Sequence, residues 1–217
     1  MARSLRYIAI EGPIGVGKTS LAHRLAESLQ FDLVLERAEE NPFLERFYRD
    51  PVANALPTQL HFLFQRARQA QEMRQADLFA SGRVADFLLE KDRIFARLTL
   101  PDEEYRLYDQ VYQGLALDAP TPDLVVYLQA PVEVLVERVQ RRGIAYEQTV
   151  RPEYLRRLSE AYMDFFHRYD AGPLLIVNAA FIDPVRREED YRDLLNRIQA
   201  MEGGRQYYNP VPFDDAD

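Results

Sequence analysis

The clearest chemistry in the chain is carried by Gly12-Pro13-Ile14-Gly15-Val16-Gly17-Lys18-Thr19-Ser20. The glycine, glycine-lysine and threonine positions complete the phosphate-loop pattern G-x-x-x-x-G-K-[ST]. Such a loop curls so that several backbone N–H groups converge on one phosphate. The helix that follows adds its positive N-terminal end. Lys18 is placed to reach the outer phosphates of ATP, and the Thr19 hydroxyl to ligate Mg²⁺. The loop leaves three fates for the phosphate: water, a protein switch or a small acceptor. A guanine-nucleotide switch wants an Asn-Lys-x-Asp motif, and the chain has none. A motor ATPase wants an apolar strand ending in a magnesium-binding Asp, which the short run before Asp86 matches weakly. A small-molecule kinase needs a base, an acceptor pocket and arginines to gather charge as the phosphoryl group moves. Arg138, Arg141 and Arg142 lie just before Gly143, and Arg138 and Arg142, four residues apart, share a helix face. They read either as a closing lid or as a solvated basic helix end that complements the dipole.

These residues must be positioned by alternating strands and helices. Tyr7 to Ile10 is a short β-type run that ends at the glycine loop, and Leu21, Ala22, Leu25, Ala26 and Leu29 give residues 18–30 a helical spacing. "FDLVLE" is a second strand, ending in Glu36. "NPFLERFYRD" is a short helix with Asn41 as N-cap and Pro42 in its first position. Residues 56–80 read as one long helix, apolar on more than one face near Leu60 to Phe64 and therefore packed on two partners. "GRVAD" is a brief buried strand, followed by helices over about 87–98 and 102–116. "PDLVVYLQA" and "PLLIVNA" are the remaining strands. Helices over 131–143, 151–169 and 188–201 complete the pattern, and residues 205–217 form a loose tail or a docked arm. The fold class is α/β: a parallel sheet of about five strands covered by helices on both faces, in a single domain over 1–217.

Composition narrows the function further. Of 217 residues, 47% are hydrophobic and 29% charged, enough for one well-buried domain. A net charge of −8 argues against nucleic-acid polymers and membrane surfaces as partners. There is no cysteine, so thiol chemistry and zinc-thiolate sites are excluded, and three histidines (His23, His61, His167) are too scattered to suggest a metal site. No apolar run approaches transmembrane length and the start runs straight into a strand, so a cytoplasmic protein is expected.

The ordered set "IAIEGPIGVGKTSLA", "NPFLERFY", "QLHFLFQRARQ", "DRIFA", "VYLQAPVEVLVERVQRRG" and "YEQTVRPEYL" resembles the deoxynucleoside kinase family, and within it the bacterial deoxyguanosine and deoxyadenosine kinases, from Ile8 to about Phe181. The resemblance implies a P-loop kinase fold with an arginine-bearing lid at about 138–151, and a homodimer. It also implies roles. Glu36 matches the acid that takes the proton of the acceptor's 5′-hydroxyl; a carboxylate at a strand's C-terminal end faces the ligand crevice of an α/β sheet. Tyr48 and Glu147 match the pair that holds the sugar 3′-hydroxyl. Gln59 and Arg66, two helical turns apart, match the residues that read the base, and a Gln amide with an Arg fork suits its mixed donors and acceptors. Arg138 and Arg142 match lid arginines, and Phe181 falls where the adenine of ATP stacks. Without the resemblance, Glu36 and Glu147 read as surface acids, Tyr48 as a core aromatic, and Gln59 and Arg66 as a polar stripe. Phe62, on another face from Gln59, reads as core.

The chain also departs from the family pattern. Where many members have an acid followed by Arg and Ser, it reads Asp86-Phe87-Leu88, keeping the acid for Mg²⁺ or its waters. Ile144 follows Gly143 where a further lid arginine is common, and Arg141 is a substitute for one of the two missing charges. The lost arginine inclines the reading toward a purine deoxynucleoside, guanine first and adenine next. The alternatives are a nucleoside monophosphate kinase of the thymidylate-kinase type and a regulatory ATP-binding module.

Overall fold

Apolar strands that are buried on both faces need two covering layers, and the chain supplies them. The computed structural model describes residues 5–76, 82–115 and 119–210. Its strands are β1 (Tyr7–Glu11), β2 (Asp32–Val34), β3 (Arg83–Ala85), β4 (Leu124–Gln129), β5 (Leu174–Asn178) and β6 (Arg205–Tyr208). They form one all-parallel sheet in the order β2-β3-β1-β4-β5-β6. Alternation splits each central strand between the two faces. Ile8, Ile10, Leu124, Val126, Leu175 and Val177 enter one core; Tyr7, Ala9, Val125, Tyr127, Leu174 and Ile176 enter the other. The first core is closed by α1 (Lys18–Leu29), α6 (Val132–Arg142) and α8 (Glu188–Gln199), through Leu21, Leu25, Leu135, Leu194 and Ile198. The second is closed by α3 (Pro51–Ala76), α4 (Lys91–Thr99) and α7 (Pro152–Arg168), through Met73, Ile94, Leu158, Tyr162 and Phe166.

A third cluster stands off the sheet, where α2 (Leu44–Arg49) and α5 (Asp102–Leu115) meet α3 and α4 around Phe47, Phe62, Leu63 and Tyr108. The long helix therefore has two sets of partners: its first half packs in this cluster and Ala70 and Met73 pack toward the sheet. Phe62 is core, as expected.

Several boundaries differ from the sequence reading. The sheet has six strands instead of about five, because Arg205–Tyr208, read as the start of a tail, pairs in parallel with β5. The segment is polar and exposed except at Tyr208, so hydrophobicity gives no strand signal there. Arg205 pins it by donating to Phe166 O (3.1 Å) and Tyr169 O (2.9 Å), carbonyls at the open C-terminal end of α7. The rest of the expected tail, 211–217, lies outside the described residues.

Asn41 does not cap α2, which begins at Leu44. It is buried, accepting from Phe43 N (3.0 Å) and donating to Thr58 O (3.1 Å), so it ties the turn to α3. α3 begins at Pro51 and carries Pro57 inside it. The expected helix over 87–98 begins only at Lys91, because Phe87, Leu88 and Leu89 cross the core as buried, non-helical chain.

Candidate active site

The loop after β1 owes its shape to glycines where a side chain does not fit. Gly12 has φ +147°, and a Cβ there would lie 2.3 Å from Leu128 O; Gly15 has φ +84°, and a Cβ would lie 2.8 Å from Val139 Cγ2. Gly17 precedes α1 as an N-cap without a side chain, which leaves the first-turn N–H groups free for an anion. The cavity above the loop has a volume of about 330 Å³. Its walls include Gly15 to Ser20, Arg138, Arg141, Arg142 and Arg186, with Asp183. It is thus a basic pocket in an acidic protein, suited to a polyphosphate. Lys18 Nζ curls back to donate to Gly12 O (2.8 Å) and Pro13 O (3.1 Å). Burial, with Lys91 nearby, pushes its ammonium down to about 8.

From this cavity a short chain of bonds leads to Glu36. Thr19 Oγ1 donates to Asp86 Oδ2 at 2.5 Å, and Asp86 Oδ1 accepts from the backbone N of Glu36 at 2.7 Å. A hydroxyl and a carboxylate side by side at a phosphate loop are oxygen donors of the type Mg²⁺ takes, so the pair fits that ion. Glu36, two residues past β2, is clasped by two cations: Arg66 pairs with Oε1, and Lys91 Nζ lies 2.6 Å from Oε2. Arg66 also pairs with Asp92 and lies over the Phe62 ring, 5.0 Å from its centroid. Gln59, Arg66 and Asp92 are all buried, Gln59 and Arg66 on α3 and Asp92 at the start of α4. Among the described residues, Arg66 Nε, Asp92 Oδ2 and Tyr108 OH are buried atoms with no hydrogen-bond partner. Buried polar atoms left so in a native fold point to a ligand or water that completes them.

Residues in the segment expected to form a lid are drawn together in pairs. Arg142 holds Glu147 with two bonds, Nε at 3.0 Å from Oε2 and Nη2 on Oε1. Glu147 lies in a 3-10 turn over Ala145–Thr149, and the Tyr146 ring beside it stacks on Tyr48 at 5.5 Å. Tyr48 and Glu147 are therefore close to one another. Burial raises the Tyr48 hydroxyl well above its usual range, so it stays protonated and can donate. Arg138 instead bonds backbone, donating to Val16 O (3.2 Å) and Ala179 O (2.9 Å), and so laces the loop to the end of β5.

Four of the residues expected to bind ATP, Gly12, Pro13, Ile14 and Phe181, do not line the loop cavity. Pro13 and Phe181 line a second cavity of about 500 Å³, with Tyr127 and Met163, and Phe181 is 52% exposed. Ile182 and Val185, not Phe181, supply apolar wall to the loop cavity. Ile14 packs against both sheet cores.

Glu11, Lys91 and Asp92 were not singled out from sequence. Glu11 is completely buried, accepting from Leu88 N (2.6 Å), Gly12 N (3.0 Å) and Tyr162 OH (3.0 Å). Its signal was an acid closing an otherwise apolar strand; Lys91 and Asp92, in "LLEKDRIF", look like a solvated helix start.

The chain matches a family model described as "Deoxynucleoside kinase" over residues 8–201. It is 34% identical over 157 residues to the deoxyguanosine kinase of Bacillus subtilis (strain 168), covering 72% of this chain and 76% of that one. It is 33% identical over 207 residues to the deoxyadenosine kinase of Dictyostelium discoideum, covering 88% of this chain and 82% of that one. Among solved structures, deoxyadenosine kinase from M. mycoides, with the products dCMP and a flexible dCDP, superposes with a TM-score of 0.78 at 25% identity, over 90% of this chain and 100% of that one. No described helix is long and apolar enough to cross a membrane. The phosphate loop, the parallel sheet and these likenesses agree: the chain belongs to the deoxynucleoside kinase family, phosphotransferases that act on a hydroxyl acceptor.

Proposed function

We propose that this kinase transfers the γ-phosphoryl group of ATP to the 5′-hydroxyl of a purine deoxynucleoside, deoxyguanosine first and deoxyadenosine next, in cytoplasmic nucleotide salvage. The observation that carries the reading is the link Thr19–Asp86–Glu36. It sets a carboxylate beside the phosphate loop but outside the phosphate cavity, where an acceptor hydroxyl is needed. Glu36 accepts the hydroxyl proton as the oxygen attacks phosphorus. Lys18 and the N–H groups of the loop hold the outer phosphates. Arg142, and Arg138 once it leaves its backbone partners, gather charge on the moving group. Thr19 and Asp86 would hold Mg²⁺, which when bound neutralises phosphate charge.

The purine preference rests on Gln59, Arg66 and Asp92, a mixed donor and acceptor surface with unpaired atoms. It also rests on the purine nucleosides in the names of the relatives. Tyr48 and Glu147 hold the sugar 3′-hydroxyl. The active species is a homodimer, consistent with the half-exposed Phe64, Leu107 and Met163 on α3, α5 and α7.

The test is a coupled ADP-release assay on deoxyguanosine, deoxyadenosine, deoxycytidine, thymidine and the matching monophosphates. The highest kcat/KM is expected with deoxyguanosine. A preference for a pyrimidine overturns the specificity, and turnover on monophosphates alone overturns the acceptor. Glu36→Gln should lower kcat by roughly 10²–10⁴-fold while KM for either substrate changes little, since a base acts in the transition state. Near-full turnover in that variant removes Glu36 from its role. Sedimentation at assay concentration checks the dimer.

A further inference from the structure

Lys91 opens α4 and is 3% exposed, deeper than a lysine is ordinarily found. Its Nζ lies between two carboxylates of unlike kind, 2.6 Å from Glu36 Oε2 and 4.0 Å from Glu11 Oε1. Glu11 is immobilised by the N–H groups of Gly12 and Leu88 and by the Tyr162 hydroxyl. Glu36 is the group whose proton count changes if it is the base. With Arg66 on Oε1 and Lys91 on Oε2, both oxygens of Glu36 are engaged and one must be released for the acceptor. Arg66 already has a second carboxylate partner in Asp92. It is therefore the cation that can leave Glu36 at little cost.

We propose that Lys91 is a positioning residue for phosphoryl transfer: it stays on Oε2, keeps Glu36 aimed, and leaves Oε1 for the 5′-hydroxyl when Arg66 turns to the base. The proposal rests on the role of Glu36 given above. In the step, the 5′ O–H bond breaks and its proton goes to Glu36 Oε1. The freed oxygen bonds to the γ-phosphorus, and the bond from that phosphorus to the β–γ bridging oxygen breaks, its electron pair leaving with ADP. Lys91 keeps all its protons. As Glu36 becomes neutral, the fixed charge of Glu11 holds the ammonium in place for the reverse proton movement.

The charged groups facing Lys91 are Glu11 from β1, Glu36 after β2, Arg66 from α3, Asp86 after β3 and Lys18 from α1. Burial pushes the Lys91 ammonium down to about 8, opposed by Glu11 and Asp86. It therefore carries its charge at neutral pH. Phe87, beside Asp86, is 1% exposed in the sheet core and contributes no charge, so on this side Lys91 and Arg66 are the cations that touch Glu36.

The experiment measures kcat and both KM values for Lys91→Met, Lys91→Gln and Lys91→Arg, in the wild-type and Glu36→Gln backgrounds. Lys91→Met should lower kcat roughly 10²-fold with KM for ATP within about threefold, and Lys91→Arg should recover at least about tenfold of that. In the Glu36→Gln background the same change should cost less than about threefold, as for two residues acting as one unit. An equal loss in both backgrounds, or no recovery in Lys91→Arg, overturns the proposal by making Lys91 merely structural. If Lys91→Met does not fold, the comparison passes to Lys91→Gln, which should lower kcat in the wild-type background but not in Glu36→Gln, and Lys91→Arg, which should largely keep it. Wild-type-like turnover in Glu36→Gln overturns the base assignment itself, and is told apart because it needs no change at Lys91.

Discussion

Glu36, the base of the proposed transfer, follows a short strand with two cations on its oxygens and a third residue, Asp86, on its backbone N–H. Its environment sets a pH window. Lys91 is charged below about 8 and neutral above, because burial disfavours its ammonium. Once it is neutral, Glu36 loses a partner, so kcat should fall as pH rises through about 8. Lys91→Arg should flatten this basic limb, since a guanidinium does not titrate there; an unchanged limb in that variant would assign it to another group. The residues that pattern alone could identify are those whose spacing is itself the chemistry, Gly12 to Thr19. Asp86 and Glu36 were legible as acids at strand ends. Lys91 and Asp92 were not, because nothing local distinguishes a buried Lys-Asp pair at a helix start from a solvated one. Their partners lie 55 and 26 residues away, at Glu36 and Arg66.

At the scale of elements, the central strands and amphipathic helices follow periodicity because each buries an apolar face. The errors fall where tertiary contacts override it. β6 is polar along most of its length and is held by its pairing with β5, by Arg205 on α7, and by Tyr208, which is 7% exposed and lies 4.3 Å from the Arg197 guanidinium. Tyr208→Ala should therefore destabilise the fold by about 3 kcal/mol, read as a lowered denaturant midpoint with unchanged slope. A loss under about 0.5 kcal/mol would show that the sixth strand adds little. The start of α4 was misplaced for a related reason. Phe87 to Leu89 are apolar enough to begin a helix, but they serve as buried crossing chain, which delivers Lys91 and Asp92 to the inner side of the site.

For the whole molecule, the parallel order β2-β3-β1-β4-β5-β6 puts the ends of β1, β2 and β3 along one edge, so residues distant in sequence share one crevice. An overall charge of −8 coexists there with a phosphate cavity walled by Lys18, Arg138, Arg141, Arg142 and Arg186. Asp86 has a consequence at this scale. One of its oxygens belongs to Thr19 and the other to the backbone of Glu36, so neither half of the crevice can settle without the other registering it. The two substrates are then partners in a thermodynamic cycle. A nonhydrolysable ATP analogue should change the Kd of the deoxynucleoside by some factor, and the deoxynucleoside must change the analogue's Kd by that same factor. Titration calorimetry reads both sides of the cycle. Asp86→Asn, which keeps the shape and removes the charge, should bring the factor toward one. The enzyme would then still bind each substrate but would no longer sense in one pocket that the other is filled.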